Sequence, residues 1–187
     1  GIFILSEDII RALFGRGEFN NEDVLITSKI LLVYSFSLPG YMLARIFNQV
    51  FYSYEKVEYP VKAAVPTFIC NFILCFLLYR PLGVLGLAIS GAVSIWLNLF
   101  IQIFYLRKNF RSFYEKLLIF DFKKLLKILF SAIIMVISIL IFKKILDLNI
   151  YVDLFIQILI GLIIYFLILN WLKLNEIKLV FQLNKFN

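Results

Sequence analysis

Four stretches of this chain carry no charged side chain: residues 63–79, 81–106, 128–142 and 154–172. A helix needs about 20 apolar residues to cross the hydrocarbon core of a bilayer, with some tolerance. The runs are too long and continuous for strands, so each reads as a helix. The third is short at 15 residues, and Lys124, Lys127, Lys143 and Lys144 extend it by snorkelling to the headgroups. Composition agrees. The chain has 187 residues, 63% of them hydrophobic and 17% charged, against about 45–50% and about 25% in a soluble domain. So little polar surface cannot cover so much apolar surface at this length. This argues against a soluble enzyme and excludes a disordered chain. The expected fold is all-α, a polytopic integral membrane helical bundle.

A fifth span, 24–54, is apolar but carries Lys29 and Arg45, with Pro39-Gly40 near its middle. Proline removes a backbone donor and kinks a helix, and neighbouring helices or water satisfy the freed groups in a membrane. One long helix hinged at Pro39 and Gly40 is expected. Residues 1–5 read as the tail of a preceding helix, and 9–14 as another turn or two ending at Gly15-Arg16-Gly17. Asn20 followed by Asp23 resembles a capping box opening the next helix. The expected spans are 24–54, 60–79, 82–106, 124–144 and 152–172, followed by an amphipathic tail, 173–187, in the interface. A frayed end is the alternative for that tail. The first residue is Gly, and no charged region or cleavage site precedes the apolar sequence. We therefore expect an internal or C-terminal piece of something longer.

Lys and Arg in short loops favour the cytoplasmic side. One set of alternate loops holds twelve basic residues and the other five, with Lys29 and Arg45 left inside a span. The richer set should be cytoplasmic, with Lys62, Arg107, Lys108, Lys123 and Lys124 as membrane-surface anchors. That places the C-terminus in the cytoplasm and the loop 15–21 outside. The segment 107–127 interleaves basic and aromatic residues, which in another setting suggests nucleic acid. Between two spans, anionic lipid headgroups are the more economical partner.

The absence of His removes the commonest general base and metal ligand. Cys70 and Cys75 sit roughly 140° apart around a helix of 3.6 residues per turn. They read as small hydrophobes, not as a disulfide or a metal pair. With no carboxylate cluster inside the spans, neither an enzyme nor a metal or cofactor site is expected. Arg45 is the best candidate site residue, because a charge within a span is costly and usually faces a cavity or a partner. Asn48 and Gln49, at i+3 and i+4, can share its face and form a polar patch able to meet a phosphate or sugar. The alternative is an arginine snorkelling to the nearby cytoplasmic surface. Asn71, Asn98, Gln102, Gln157 and Asn170 read as isolated amides making interhelical hydrogen bonds. Gly83, Gly86 and Gly91 with Ala88, Ser90, Ala92 and Ser94 read as a surface for close helix packing.

Three motifs, taken in order, carry a resemblance. They are Leu13-Phe14-Gly15-Arg16-Gly17-Glu18-Phe19, then Tyr34-Ser35-x-x-Leu38-Pro39-Gly40 followed by Phe51-Tyr52, then Tyr59-Pro60-Val61-Lys62. Together the chain resembles the C-terminal part of the MurJ/MviN family, lipid II flippases within the multidrug/oligosaccharidyl-lipid/polysaccharide exporter superfamily. The likeness is strong over 13–62 and is one of hydropathy alone beyond about residue 106. It implies a fourteen-span protein in the bacterial cytoplasmic (inner) membrane, of which this piece supplies the end of the ninth span and all of the tenth to fourteenth. It implies transport by alternating access, with an undecaprenyl-linked anionic substrate such as lipid II and a missing N-terminal half as partners. It also implies that the last two spans form a groove for a polyprenyl chain, where composition alone equally fits helices bathed in bulk lipid. The family's Asp-Thr-Lys-Thr-Pro-like turn is replaced here by residues 53–60, and lysine is common where Arg45 stands. The family's cavity arginines belong mainly to the N-terminal half. The alternatives are another exporter of the same superfamily, moving a lipid-linked oligosaccharide or drug, and, from a different class, a non-transporting membrane scaffold.

Overall fold

The computed structural model of the chain describes residues 1–111, 122–145 and 149–172. Six helices account for almost all of it: α1 (Ile2–Phe14), α2 (Asn21–Ser53), α3 (Glu58–Leu82), α4 (Val84–Asn109), α5 (Phe122–Ile145) and α6 (Ile150–Trp171). Five of them, α2 to α6, are long and apolar enough to cross a membrane. The tail 173–187 lies outside the described residues, and Lys123 and Lys124 fall where only the backbone is described.

Local chemistry explains the boundaries. The Asn20 side chain accepts from the Glu22 and Asp23 amides at 2.8 and 3.0 Å, and Asp23 accepts from the Asn20 amide at 3.0 Å. This is the capping box expected from the sequence, and it satisfies amides that open the helix. α2 then runs unbroken through Pro39 for 33 residues. Gly40 has a packing role there: a Cβ would meet Ile95 and Trp96 of α4 at 3.2–3.3 Å. Gly83 joins α3 to α4 with φ +57, a backbone that only glycine adopts without strain. The N-terminal segment differs from expectation. Residues 2–14 form one continuous helix, not two pieces, because Ser6, Glu7 and Asp8 between the apolar stretches do not break a helix. Arg11 fixes this helix, bonding Glu7 at 3.0 Å and Asn21 of α2 at 2.9 Å.

α4 lies between α2 and α3, α1 packs against α2, and α5 pairs with α6, which reaches the rest through α1. Buried residues concentrate where α2 meets α4: Ala44, Phe47, Phe51, Leu99 and Leu106. At the end of the bundle shared by the α2–α3 turn and the end of α4, the Phe51, Tyr54, Tyr59, Tyr105 and Phe110 rings stack. Lys62 lies over Tyr59 and pairs with Glu58 at 2.9 Å, so it shares that end with the exposed Arg107 and Lys108. Outward, the surface is apolar. Phe68, Phe72 and Phe76, spaced four apart on α3, are each at least 70% exposed, as suits a helix bathed in lipid.

Candidate functional site

The small residues of α4 let polar groups meet inside this apolar bundle. Gly86, Ser90 and Ser94 are buried and recur every four residues, so they share one face of the helix. That face lies against α3. The Ser90 hydroxyl is 2.8 Å from Cys75 Sγ, and a Cβ on Gly86 would collide with the Leu78 carbonyl. Close approach there brings the amides of three helices together.

The result is a cavity of about 450 Å³ between α2, α3 and α4. Tyr41, Ala44, Arg45 and Asn48 of α2 line it, with Thr67 and Asn71 of α3 and Gly91, Ser94, Ile95 and Asn98 of α4. Arg45 and Asn48 are thus brought together. Gln49 is exposed and does not line the cavity. The reason is angular: one residue on from Asn48 is a turn of about 100° around the helix, which carries Gln49 off the arc holding Tyr41, Ala44, Arg45 and Asn48. Among the described residues no carboxylate lines the cavity, so nothing in its wall neutralises Arg45.

The amides read as isolated in the sequence form a network. Gln102, buried on α4, donates through Nε2 to Asn48 Oδ1 at 3.0 Å and to Asn98 Oδ1 at 2.6 Å. Asn98 Nδ2 donates to Thr67 Oγ1 at 3.3 Å, and the Thr67 hydroxyl donates to the Ala63 carbonyl at 2.7 Å. Cys75 donates to Asn71 Oδ1 at 3.3 Å. It is a partner in a polar cluster, not the inert hydrophobe expected. Both cysteines are free thiols. The i, i+4 spacing of Asn71 and Cys75, and of Asn98 and Gln102, was the available signal that these residues share faces. Among the described residues, no group of His, Cys, Asp and Glu is placed to hold a metal.

Two other cavities are apolar. One, of about 740 Å³, lies between α1, α2 and α4 beside Phe36, Trp96 and Phe100. The other, of about 430 Å³, lies between α1, α5 and α6. Only the first described cavity combines a charge with several amides in its wall.

Comparison with known proteins adds four findings. Residues 1–170 match the family model described as lipid II flippase MurJ. The chain is 32% identical over 130 residues to a probable lipid II flippase MurJ of Buchnera aphidicola subsp. Schizaphis graminum, covering 68% of this chain and 25% of that protein. It is 45% identical over 64 residues to the Aquifex aeolicus counterpart, covering 34% and 13%. A solved structure, lipid II flippase MurJ in an inward closed conformation, superposes with a TM-score of 0.74 at 27% identity, covering 89% of this chain and 33% of that one. The chain therefore spans a third or less of the proteins it matches here.

Proposed function

The chain belongs to the lipid II flippase MurJ family, a family of multi-pass proteins of the bacterial inner membrane, and from that premise we propose that it is the C-terminal membrane portion of a transporter. That transporter moves a lipid-linked peptidoglycan precursor from the cytoplasmic to the outer leaflet for cell-wall synthesis. This chain supplies one wall of the central cavity, with Arg45 and Asn48 facing the precursor's headgroup, and the N-terminal half supplies the other. Helical halves rock around the cavity in alternating access, and the headgroup crosses shielded while its lipid tail stays in the bilayer. Pro39 and Gly40 act as the hinge of α2. Lys62, Arg107, Lys108, Lys123 and Lys124 anchor the cytoplasmic surface, and the chain's C-terminal end is cytoplasmic.

One observation carries this reading: a cavity holding one arginine and several amides, with no carboxylate among its described lining residues, beside two described cavities that are apolar. Arg45 is exposed on the cavity side of a span, and ionisable groups within spans are expensive and mark substrate pathways. An arginine without a carboxylate favours an anionic substrate over a cationic drug. The experiment uses the full-length protein in a host depleted of its own flippase. Rescue of growth and of lipid II exposure at the cell surface is expected from the wild type. Arg45→Ala at equal expression is expected to lose it. Arg45→Lys keeps the charge but not the planar fork, and is expected to rescue partially. No rescue by well-expressed wild type would move the substrate to another lipid-linked oligosaccharide. A silent Arg45→Ala would remove Arg45 from the pathway.

A further inference from the structure

We infer that Gln102 sets the hydrogen-bonding polarity of the cavity, holding Asn48 so that its amide NH₂, not its carbonyl oxygen, is presented beside Arg45. This rests on the reading of the cavity as the headgroup site. A primary amide nitrogen has two hydrogens and its oxygen only accepts. Gln102 Nε2 is committed twice, to Asn48 Oδ1 and to Asn98 Oδ1. With their oxygens held against Gln102, both asparagines turn their nitrogens the other way. Asn98 uses its nitrogen on Thr67. Asn48 lines the cavity beside Arg45 with its nitrogen left for a ligand.

The Thr67 and Ser94 hydroxyls of the cavity wall have committed their protons elsewhere. Thr67 donates to the Ala63 carbonyl and Ser94 to the Ser90 carbonyl. Asn71 Oδ1 accepts from Cys75, which leaves the Asn71 nitrogen as a further donor in the wall. The donors still open are thus the Arg45 guanidinium, the Tyr41 hydroxyl and the Asn48 and Asn71 amides. This set matches the oxygens of a phosphate and rejects a cation.

A second observation singles out Gln102. It is 1% exposed, and its Oε1 is buried with no partner. A buried unsatisfied acceptor is costly, and a side chain needed only to fill space there would be apolar. The cost is explained if the residue is kept for its two donors.

The test uses the full-length protein in lipid nanodiscs with two probes that share a tail: undecaprenyl diphosphate and neutral undecaprenol. The readout is the ratio of their affinities, which isolates headgroup recognition from tail binding and from stability. Gln102→Met keeps the volume and removes the donors. It is expected to lower the ratio about three- to tenfold, as one net hydrogen bond implies. Asn48→Ala is expected to do the same, and the double variant to lose no more than either single one. Gln102→Leu also removes the donors and adds no charge. The ratio is expected to fall there too, which covers the case of a misfolded Met variant. An unchanged ratio in a folded Gln102→Met or Gln102→Leu protein would overturn the inference, as would additive losses in the double variant. If Arg45→Ala also leaves the ratio unchanged, it is the headgroup reading of the cavity that fails.

Discussion

A methyl group added at Gly86 would lie 2.3 Å from the Leu78 carbonyl oxygen, whereas one added at Gly91 meets nothing within 4 Å. The contact at Gly86 is with backbone, so the α3–α4 pair must separate to make room. Overpacking of this kind typically costs about 1–3 kcal/mol. Gly86→Ala is expected to lower the melting temperature of the purified full-length protein and to reduce its yield. Gly91→Ala is expected to be neutral or stabilising by up to about 1 kcal/mol, the helix-propensity difference between the two residues. Equal effects at both positions would refute the close approach. The same logic explains why α4 is rich in small residues. Without a hydrophobic force between helices in lipid, close backbone contact and polar bonds must hold them together. The space that Gly86 yields to Leu78 is what lets Ser90 reach Cys75.

At the scale of elements, α5 and α6 hold to each other but reach the other helices mainly through α1. Lys127 of α5 donates to the Leu172 carbonyl at the end of α6 at 2.9 Å, and Lys143 of α5 pairs with Asp8 of α1. The second contact joins the α5–α6 pair to the remaining bundle. Both of its side chains are partly exposed, so the pair is worth no more than about 1 kcal/mol. Asp8→Asn and Lys143→Gln are each expected to lower the melting temperature slightly. The exchange Asp8→Lys with Lys143→Asp is expected to recover it, and failure to recover would mean the pair is incidental. The helices were legible in the sequence, for a physical reason. In lipid every backbone polar group must be satisfied within its own segment, so a charge-free run of sufficient length has few options besides a helix. The box at Asn20 and Asp23 was legible because a cap is local. The cavity was legible only along one helix, as Arg45 and Asn48. Thr67, Asn71 and Asn98 join it through the rotation of α3 and α4 against α2. The bond from Gln102 to Asn48 spans 54 residues of sequence, and no local pattern announces it. Gln49 falls away for a reason internal to α2, the turn of about 100° from Asn48 to its neighbour.

Across the whole molecule, an odd number of spans places the start of α2 and the end of α6 on opposite sides of a membrane. The fold also sorts the charges that the loops divided by count. Lys62, Arg107 and Lys108 gather at the end closed by the Phe51, Tyr59 and Phe110 rings. Arg11, bonded to Asn21 at the start of α2, belongs to the opposite end. Basic residues are retained on the cytoplasmic side, and anionic lipid there holds them, so the aromatic end should face the cytoplasm. Orientation can be read directly by labelling. In full-length protein with Cys70 and Cys75 replaced by Ala, Arg16→Cys and Lys108→Cys are made one at a time. A membrane-impermeant maleimide applied to cells with a permeable outer layer and an intact inner membrane is expected to label residue 16 and spare residue 108. After the inner membrane is opened, both are expected to react. The reverse pattern would invert the topology, and the Arg45 cavity would then lie nearer the outer leaflet. Labelling at both positions in intact cells would show that the two ends do not lie on opposite sides of a sealed membrane, and the spanning arrangement itself would fall.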